Sequence, residues 1–563
     1  MNKLFDLIAR ISSSLLVLVA LAFAFSACEK EDDKIEPKLF LETESVSASN
    51  SGGEYSVDFV TNYPWQATAN VDWITIAESS GEKGRHNLVF TVDKNEDDER
   101  VGVITVSISE STNLEITVTQ DPGNRNDIYV KVDGTGDGTS WAEATSLDQA
   151  LAMAVDGNVI HIAAGVYTPG TTISGGNTAD EGDNTFQISK NIALKGGYPA
   201  DATAGAEADP ATHKTILDGQ GVAYHVVVVS SPRVEGQKVV LEGLTITNGN
   251  AVASSATLTI NGVVFRRDYG GGVIIGNSLA EIVNCDIVDN ASRRHVAGMY
   301  IFGGSEVTIK NSRVSRNASA SNGGGAWVAD SKAWVYDSEF NENSGGTAAG
   351  FHAYPNATTY LYNTVLANNA GRSYGAAFYA RENSKGVLVN CLIRDNTSTS
   401  ANGGGGVMMY SDCQVDIISS TITGNVINGP GGGVYRRLGN NVLSIYNSVI
   451  SGNTQKDDGP DVDVYEADAE APVVKASVLG SVVFDASGAE MGGETFNPAT
   501  SFDADYGLVG DTNPARQYGM NATTLGSVGG AINPAPDAEY LSIDLYHNDR
   551  SGSTIMGAVV GAP

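Results

Sequence analysis

The chain has 563 residues, with 66 Asp and Glu against 34 Lys and Arg, a formal net charge of −32. Such a surface repels nucleic acid and acidic polymers, and so argues against a pectin-like polyanion as ligand. Four cysteines are too sparse for a disulfide framework, so stability must come from a large core, which a chain of this length can bury. Glycine is abundant (65) and proline scarce (16), which suits many tight turns between short strands.

The start reads MNKLFDLIAR, a short basic segment, then ISSSLLVLVALAFAF, an apolar run too short for a comfortable membrane span. It ends at FSAC, with small residues just before Cys28. This resembles a bacterial lipoprotein signal, which implies that Cys28 is lipidated and becomes the mature N-terminus. The alternative is an ordinary leader with a chance cysteine. The acidic run EKEDD follows, within a linker over 28–37. It resembles the surface-export signal of Bacteroidetes lipoproteins and implies an outer-membrane, surface-exposed location. A solvated linker is the other reading.

From 38 to 122 the pattern is all-β. EYSVDFV alternates, and NLVFTVDKNEDDERVGVITVSI and NLEITVTQ follow, with turn residues between. Strands of this length suggest a small Ig-like sandwich. Trp65, Asp72-Trp73-Ile74, Gly81, Asn95, Arg100-Val101-Gly102 and the closing ITVTQ resemble the BACON domain. That resemblance implies either carbohydrate or mucin binding, or a spacer lifting a larger domain off the membrane; we favour the spacer. Trp73, beside Ile74 in a short strand, is expected in the core.

The region 126–563 is dominated by a repeat. NCDIVDN (284), NSRVSRN (311), DSEFNEN (337), NTVLANN (363), NCLIRDN (390), SSTITGN (419) and NSVISGN (447) recur at 26 to 29 residues, each after a Gly-rich turn. Short strands at this period describe the coils of a β-solenoid, stacked about 4.8 Å apart. Equivalent positions then form columns. Ile287, Val314, Phe340, Leu366, Ile393, Ile422 and Ile450 form an apolar core column. Asn290, Asn317, Asn343, Asn369, Asn396, Asn425 and Asn453 form another, in which asparagine tolerates a left-handed turn and its amide bonds the next one. The pattern resembles the right-handed parallel β-helix of pectate lyases and polymorphic outer-membrane proteins; the handedness comes from that resemblance. Ser146 and Gln149 make a capping box, predicting a helix over 147–155 that covers the first coil. The stretch 455–500 lacks the repeat and reads as an irregular insertion, and DLYHNDRSGSTIMGAVVGAP resembles a degenerate last coil.

Strand side chains alternate faces, so columns also assign the aromatic rings. Val273, Met299, Ala326, Phe351, Phe378, Val407 and Val434 face in. Their neighbours Tyr300, Trp327, His352, Tyr379 and Tyr435 are expected outside, with Tyr354, Tyr410 and Arg381 two residues on. Arg436 falls in an inward column, which suggests that the last coil slips register. Trp334, Tyr336, Tyr360 and Tyr362 are expected to form a second outward strip. Sugar rings stack on aromatic faces, so the leading function is binding of a polysaccharide or glycoprotein glycan along these rings. Mutual stacking of the rings, or cover by another segment, is the bland alternative.

Catalytic signals are thin. The NTD, GHG and RIK motifs of polygalacturonases are missing. Asp286–Arg313–Glu339 and Asp289–Arg316–Glu342 alternate in sign, as a structural ion-pair ladder does. His352 with Tyr379 and Arg381 is the remaining candidate for lyase-type proton abstraction. The acidic loop 457–470 offers carboxylates to Ca2+ but lacks EF-hand spacing. No metal or cofactor is required by any motif. A polysaccharide lyase or glycoside hydrolase, and an adhesin or structural surface protein, stand as alternatives to glycan binding.

Overall fold

A computed structural model describes residues 36–50, 52–95, 100–120, 127–253, 257–375, 377–455, 463–466, 471–479, 481–484 and 487–503, and parts of 508–558. The leader, Cys28 and the acidic linker lie outside the described residues, as does most of the acidic loop 457–470.

The chain divides after Asn124 into two units. In the first, a four-stranded sheet (Leu39–Leu41, Gly53–Thr61, Gly84–Val92, Ile74–Ile76) and a five-stranded sheet (Ser45–Ala48, Thr112–Gln120, Arg100–Ser109, Trp65–Ala69, Ser80–Gly81) build a sandwich. Phe59, Phe90, Ile104, Val106, Ile116 and Val118 fill it, as period-2 alternation requires. Trp65 is buried against Phe59, with ring centres 4.9 Å apart. Trp73 lies in the turn ahead of Ile74–Ile76. It is half-buried on the core, with the Arg100 guanidinium 4.4 Å over its ring.

The second unit is a parallel β-solenoid. One coil shows the plan: Val273–Gly276 on face 1, Leu279–Val283 on face 2, Asp286–Val288 on face 3, then the corner strand Ala291–Ser292. A Gly-rich turn leads to face 1 of the next coil at Met299–Phe302. Among the described residues the four sheets have ten, 12, 13 and eight strands respectively, the last two of the 13 (Val482–Phe484 and Glu490–Thr495) joining antiparallel. The core column from Ile287 to Ile450 pairs coil to coil in strict register, and each member is fully buried.

The asparagine column forms a ladder. Each amide bonds the next asparagine above and a backbone carbonyl of the coil below, as Asn317 does to Asn343 Oδ1 (3.0 Å) and the Ile287 carbonyl (2.9 Å). Asp463 closes the series, accepting from Asn453 Nδ2 at 2.7 Å. The left-handed backbone lies elsewhere than expected. It falls on the residue before each ladder asparagine (Asp289 φ 57°, Arg316 φ 54°, Glu342 φ 56°) and on the first residue of the repeat (Asn284 φ 52°, Asn311 φ 47°). The ladder asparagines are held for their amides instead.

A second ladder runs through the repeat's second position. Cys285 N donates to Ser312 Oγ at 3.1 Å and Cys391 N to Ser420 Oγ at 3.0 Å. Both thiols are buried, and desolvation pushes each up to about 12.

The ends differ from expectation in part. The helix Leu147–Met153 forms with Ser146 Oγ accepting from Gln149 N, and buries Leu147 and Ala150 against the first coils. Residues Val464–Glu466, Val473–Lys475 and Ser477–Leu479 continue the solenoid in parallel register, so the stretch taken as an insertion contains a further coil. Arg436 does not break register: it pairs with Met409 below, lies buried, and donates to the Asn441 carbonyl at 2.8 Å. Among the described residues, the C-terminal stretch adds no further coil. Phe496, Leu508, Met520, Leu541 and Met556 pack back on the outer side of earlier coils, around Tyr360 and Tyr362.

Candidate functional site

The alternation assigned the face 1 rings to the outside of the coil, and the register agrees. Tyr300, Trp327, His352 and Tyr379 pair in one column, while their inward neighbours line the core. Outside the coil is nevertheless not in water here. Trp327 is 6%, His352 2%, Tyr379 1% and Tyr435 6% exposed; Tyr300, Tyr354 and Tyr410 are half-buried. The rings cover one another: His352 lies 4.9 Å from Trp327 and 5.0 Å from Tyr379, nearly parallel to both. The Gly-rich turns cover the column's edge. At Gly403 (φ +94°) a Cβ would sit 2.2 Å from the Tyr435 ring, so only glycine lets the backbone pass that close.

This packing also decides the proton-transfer candidates. Neither ring nitrogen of His352 has a hydrogen-bond partner among the described residues, and burial drives its pKa down to about 3. Burial holds the Tyr379 phenol well above its usual range. Arg381 sits 4.6 Å over Tyr354 and 5.3 Å over Tyr410 and pairs with Glu382 at 2.7 Å. A neutral imidazole inside a ring stack, a protonated phenol and a capped guanidinium form packing, not an acid–base site.

The second strip behaves differently. On face 2, Trp334 stacks on Tyr360 (5.9 Å, 4°) and Tyr336 on Tyr362 (5.0 Å, 9°). Tyr360 and Tyr362 are buried under the C-terminal segment, whereas Trp334 and Tyr336 are half-buried. The stack ends at these two. Their register partners on the preceding coil are Thr308 and Lys310, so their outer faces look over a small residue and a flexible one. A cavity of about 510 Å³ opens there, lined by Thr308, Lys310, Trp334, Tyr336, Asp537 and Tyr540 among others.

A second cavity of about 500 Å³ lies over face 3, lined by Lys214, Asp286, Arg313 and Glu339 among others. The two cavities adjoin at Asn311 and Asp337, residues of the turn between faces 2 and 3. Of the alternating charges, Asp286–Arg313 (3.1 Å) and Asp289–Arg316 (2.6 Å) close as ion pairs, whereas among the described residues Glu339 and Glu342 form none with these arginines, so each ladder stops at its first rung. Asp337 is fully engaged: Tyr540 OH donates to Oδ2 at 2.8 Å, while His547 Nε2 (2.8 Å) and Asn363 Nδ2 (3.1 Å) meet Oδ1. It ties the C-terminal segment to the coil. The Tyr336 phenol is held well above its usual range by burial and by its bond to Asp537 Oδ2 at 2.9 Å. Lys214, Lys310, Asp537, Glu539 and Tyr540 escaped the repeat-based reading. Lys214, Asp537, Glu539 and Tyr540 stand outside the repeat, where no column reports, and Lys310 stands in a column whose members on the next two coils are Tyr336 and Tyr362.

Residues 63–121 match the family model described as BACON, a putative binding domain, N-terminal, and residues 220–366 match the right handed beta helix region. No curated protein matches the chain. Among solved structures, pectate lyase Pel9A is 15% identical over 62% of this chain and 79% of that one, with a TM-score of 0.36. The pectin methylesterase of Aspergillus niger is 10% identical over 62% and 91%, with a TM-score of 0.27. A GH5 xyloglucanase of Bacteroides ovatus is 16% identical over 34% and 45%, with a TM-score of 0.15. Within the chain, a BACON domain at 63–121 is followed by a parallel β-solenoid whose residues 220–366 match a right-handed β-helix region.

Proposed function

We propose that the β-helix is a non-catalytic glycan-binding surface, and that an extended saccharide lies in the two adjoining cavities, as one groove across faces 2 and 3. The observation that carries this reading is the end of the face 2 ring stack. Trp334 has one face on Tyr360 and the other over Thr308, inside a cavity. A pyranose stacks on such a face through its C–H surface. Lys310, Asn311, Asp537 and Glu539 stand around it to bond hydroxyls. Trp334 and Tyr336 thereby keep the ligand role and Tyr360 and Tyr362 support them from beneath, while Tyr300, Trp327, His352, Tyr379 and Tyr435, with Tyr354 and Tyr410 under Arg381, pack on face 1, away from the groove.

The carboxylate at the shared turn, Asp337, has both oxygens already bonded within the protein, to Tyr540, His547 and Asn363. This favours binding over hydrolysis. The leader supports a lipid anchor at Cys28 and a location on the outer membrane, with the BACON domain as a spacer.

A glycan array probed with the purified protein, followed by calorimetric titration of the hits, tests the reading. The account expects saccharide hits that Trp334→Ala weakens at least tenfold, and no new reducing or unsaturated ends on incubation. New ends would favour the lyase or hydrolase reading, and a blank array the adhesin or structural one. Metabolic lipid labelling lost in Cys28→Ala tests the anchor.

A further inference from the structure

A different aromatic cluster stands at the N-terminal end of the solenoid, before the repeat begins. Tyr129 and His161 occupy one outward column of face 2, between the buried pairs Ile128/Val130 and Ile160/Ile162. A register shift between His161 and Ala163 then re-aims the next strand, so that Tyr198 reaches the imidazole. Trp141 closes the cluster edge-on, 5.0 Å from Tyr129 and 5.2 Å from Tyr198. These rings line a half-enclosed cavity of about 520 Å³, with the 202–206 loop as the opposite wall. That is the size of a small-molecule site.

The polar groups in it are pre-set. Asp127 Oδ1 meets His161 Nε2 at 2.6 Å, and a carboxylate can only accept, so the ring proton sits on Nε2. In the neutral ring Nδ1 is then an acceptor and receives a hydrogen bond from the Tyr198 hydroxyl at 2.7 Å. The Tyr198 oxygen is left with lone pairs to accept a bond. On the same cavity, Lys131 Nζ is aimed by a 2.9 Å bond to the Ala202 carbonyl and has further protons to donate. Rings that offer π-surface, a fixed acceptor and a fixed donor match a molecule with an apolar C–H face and hydroxyls at its rim. A purely apolar guest would leave the donor and acceptor unpaired. An anionic guest would face the field of a chain of charge −32, with the Asp127 carboxylate directly behind His161.

We propose that this pocket binds a single neutral pyranose unit, as a second saccharide site independent of the groove. It stands on its own residues and needs nothing from Trp334. The test is saturation-transfer NMR on the full-length protein carrying Trp334→Ala, so that a failure of the groove and a failure of this pocket read separately. The probes are methyl β-D-glucopyranoside and methyl β-D-galactopyranoside, with methyl α-D-galacturonoside as the charged control. Tyr198→Phe removes the acceptor and keeps the ring. Thr203→Trp, at an exposed position of the loop wall, fills the cavity. A neutral glycoside should give a transfer signal that falls at least fivefold in both variants, with melting temperatures within about 2 °C of the parent. Unchanged signals in both variants, no signal from either neutral glycoside, or binding of the uronoside alone would overturn the proposal.

Discussion

Asn369 donates from its side-chain amide to Oδ1 of Asn396, one coil along, at 2.9 Å, and the Asn369 backbone N–H donates to that same oxygen at 2.9 Å. Its Nδ2 also reaches the Phe340 carbonyl of the coil before, at 2.9 Å, while its own Oδ1 accepts from Asn343. One fully buried residue therefore ties three coils. Asn369→Ala leaves several of these groups without partners, at about 1–3 kcal/mol each. The expected loss is at least about 3 kcal/mol, read as a fall in urea midpoint.

The buried thiols should behave as ladder members. Cys285 and Cys391 stand where Ser312 and Ser420 stand on neighbouring coils. Cys285→Ser and Cys391→Ser should each change stability by less than about 1 kcal/mol, because serine already bonds at equivalent positions. Site-resolved thiol labelling of native protein should leave both unmodified, since each is held up to about 12 by burial.

Acid should weaken the solenoid through two buried histidines, His225 and His352, and the half-buried His295. His225 and His295 are pushed down to about 4 and His352 to about 3, from 6.5, with desolvation the main cause in each. A depressed folded value means the unfolded chain binds the proton first. Stability is then fully present above about pH 6.5 and falls as pH drops towards 4. For His225 the displacement corresponds to about 3 kcal/mol. His352→Phe keeps the stack on Trp327 and Tyr379 and removes one such group. Its urea midpoint should fall less between pH 7 and pH 4.5 than that of the unmodified protein.

The face 1 rings should carry stability and no ligand. Tyr379 is 1% exposed and stacked on His352. Tyr379→Ala should cost about 3–5 kcal/mol, the range for emptying a buried aromatic position. Folded protein carrying it should bind glycan as before.

The columns made the solenoid legible. Ile287 to Ile450 and Asn290 to Asn453 each repeat one constraint seven times, which a single chain can report about itself. Alternation also put Trp327 and Trp334 outside the coil correctly. It could not say what lies over them. That depends on the Gly-rich turns, whose close approach is a matter of backbone geometry, and on the non-repeating segment around Phe496, Leu541 and Met556. Tyr129, Trp141 and Tyr198 were silent for a related reason: they precede the repeat and meet through a register shift.

Paired titration of Trp334→Ala and Tyr336→Phe against the unmodified protein, with the best array glycan, tests the groove most directly. The account predicts at least tenfold weaker binding for Trp334→Ala, a smaller loss for Tyr336→Phe, and melting temperatures within a few degrees of the parent. Undiminished affinity in Trp334→Ala would contradict it.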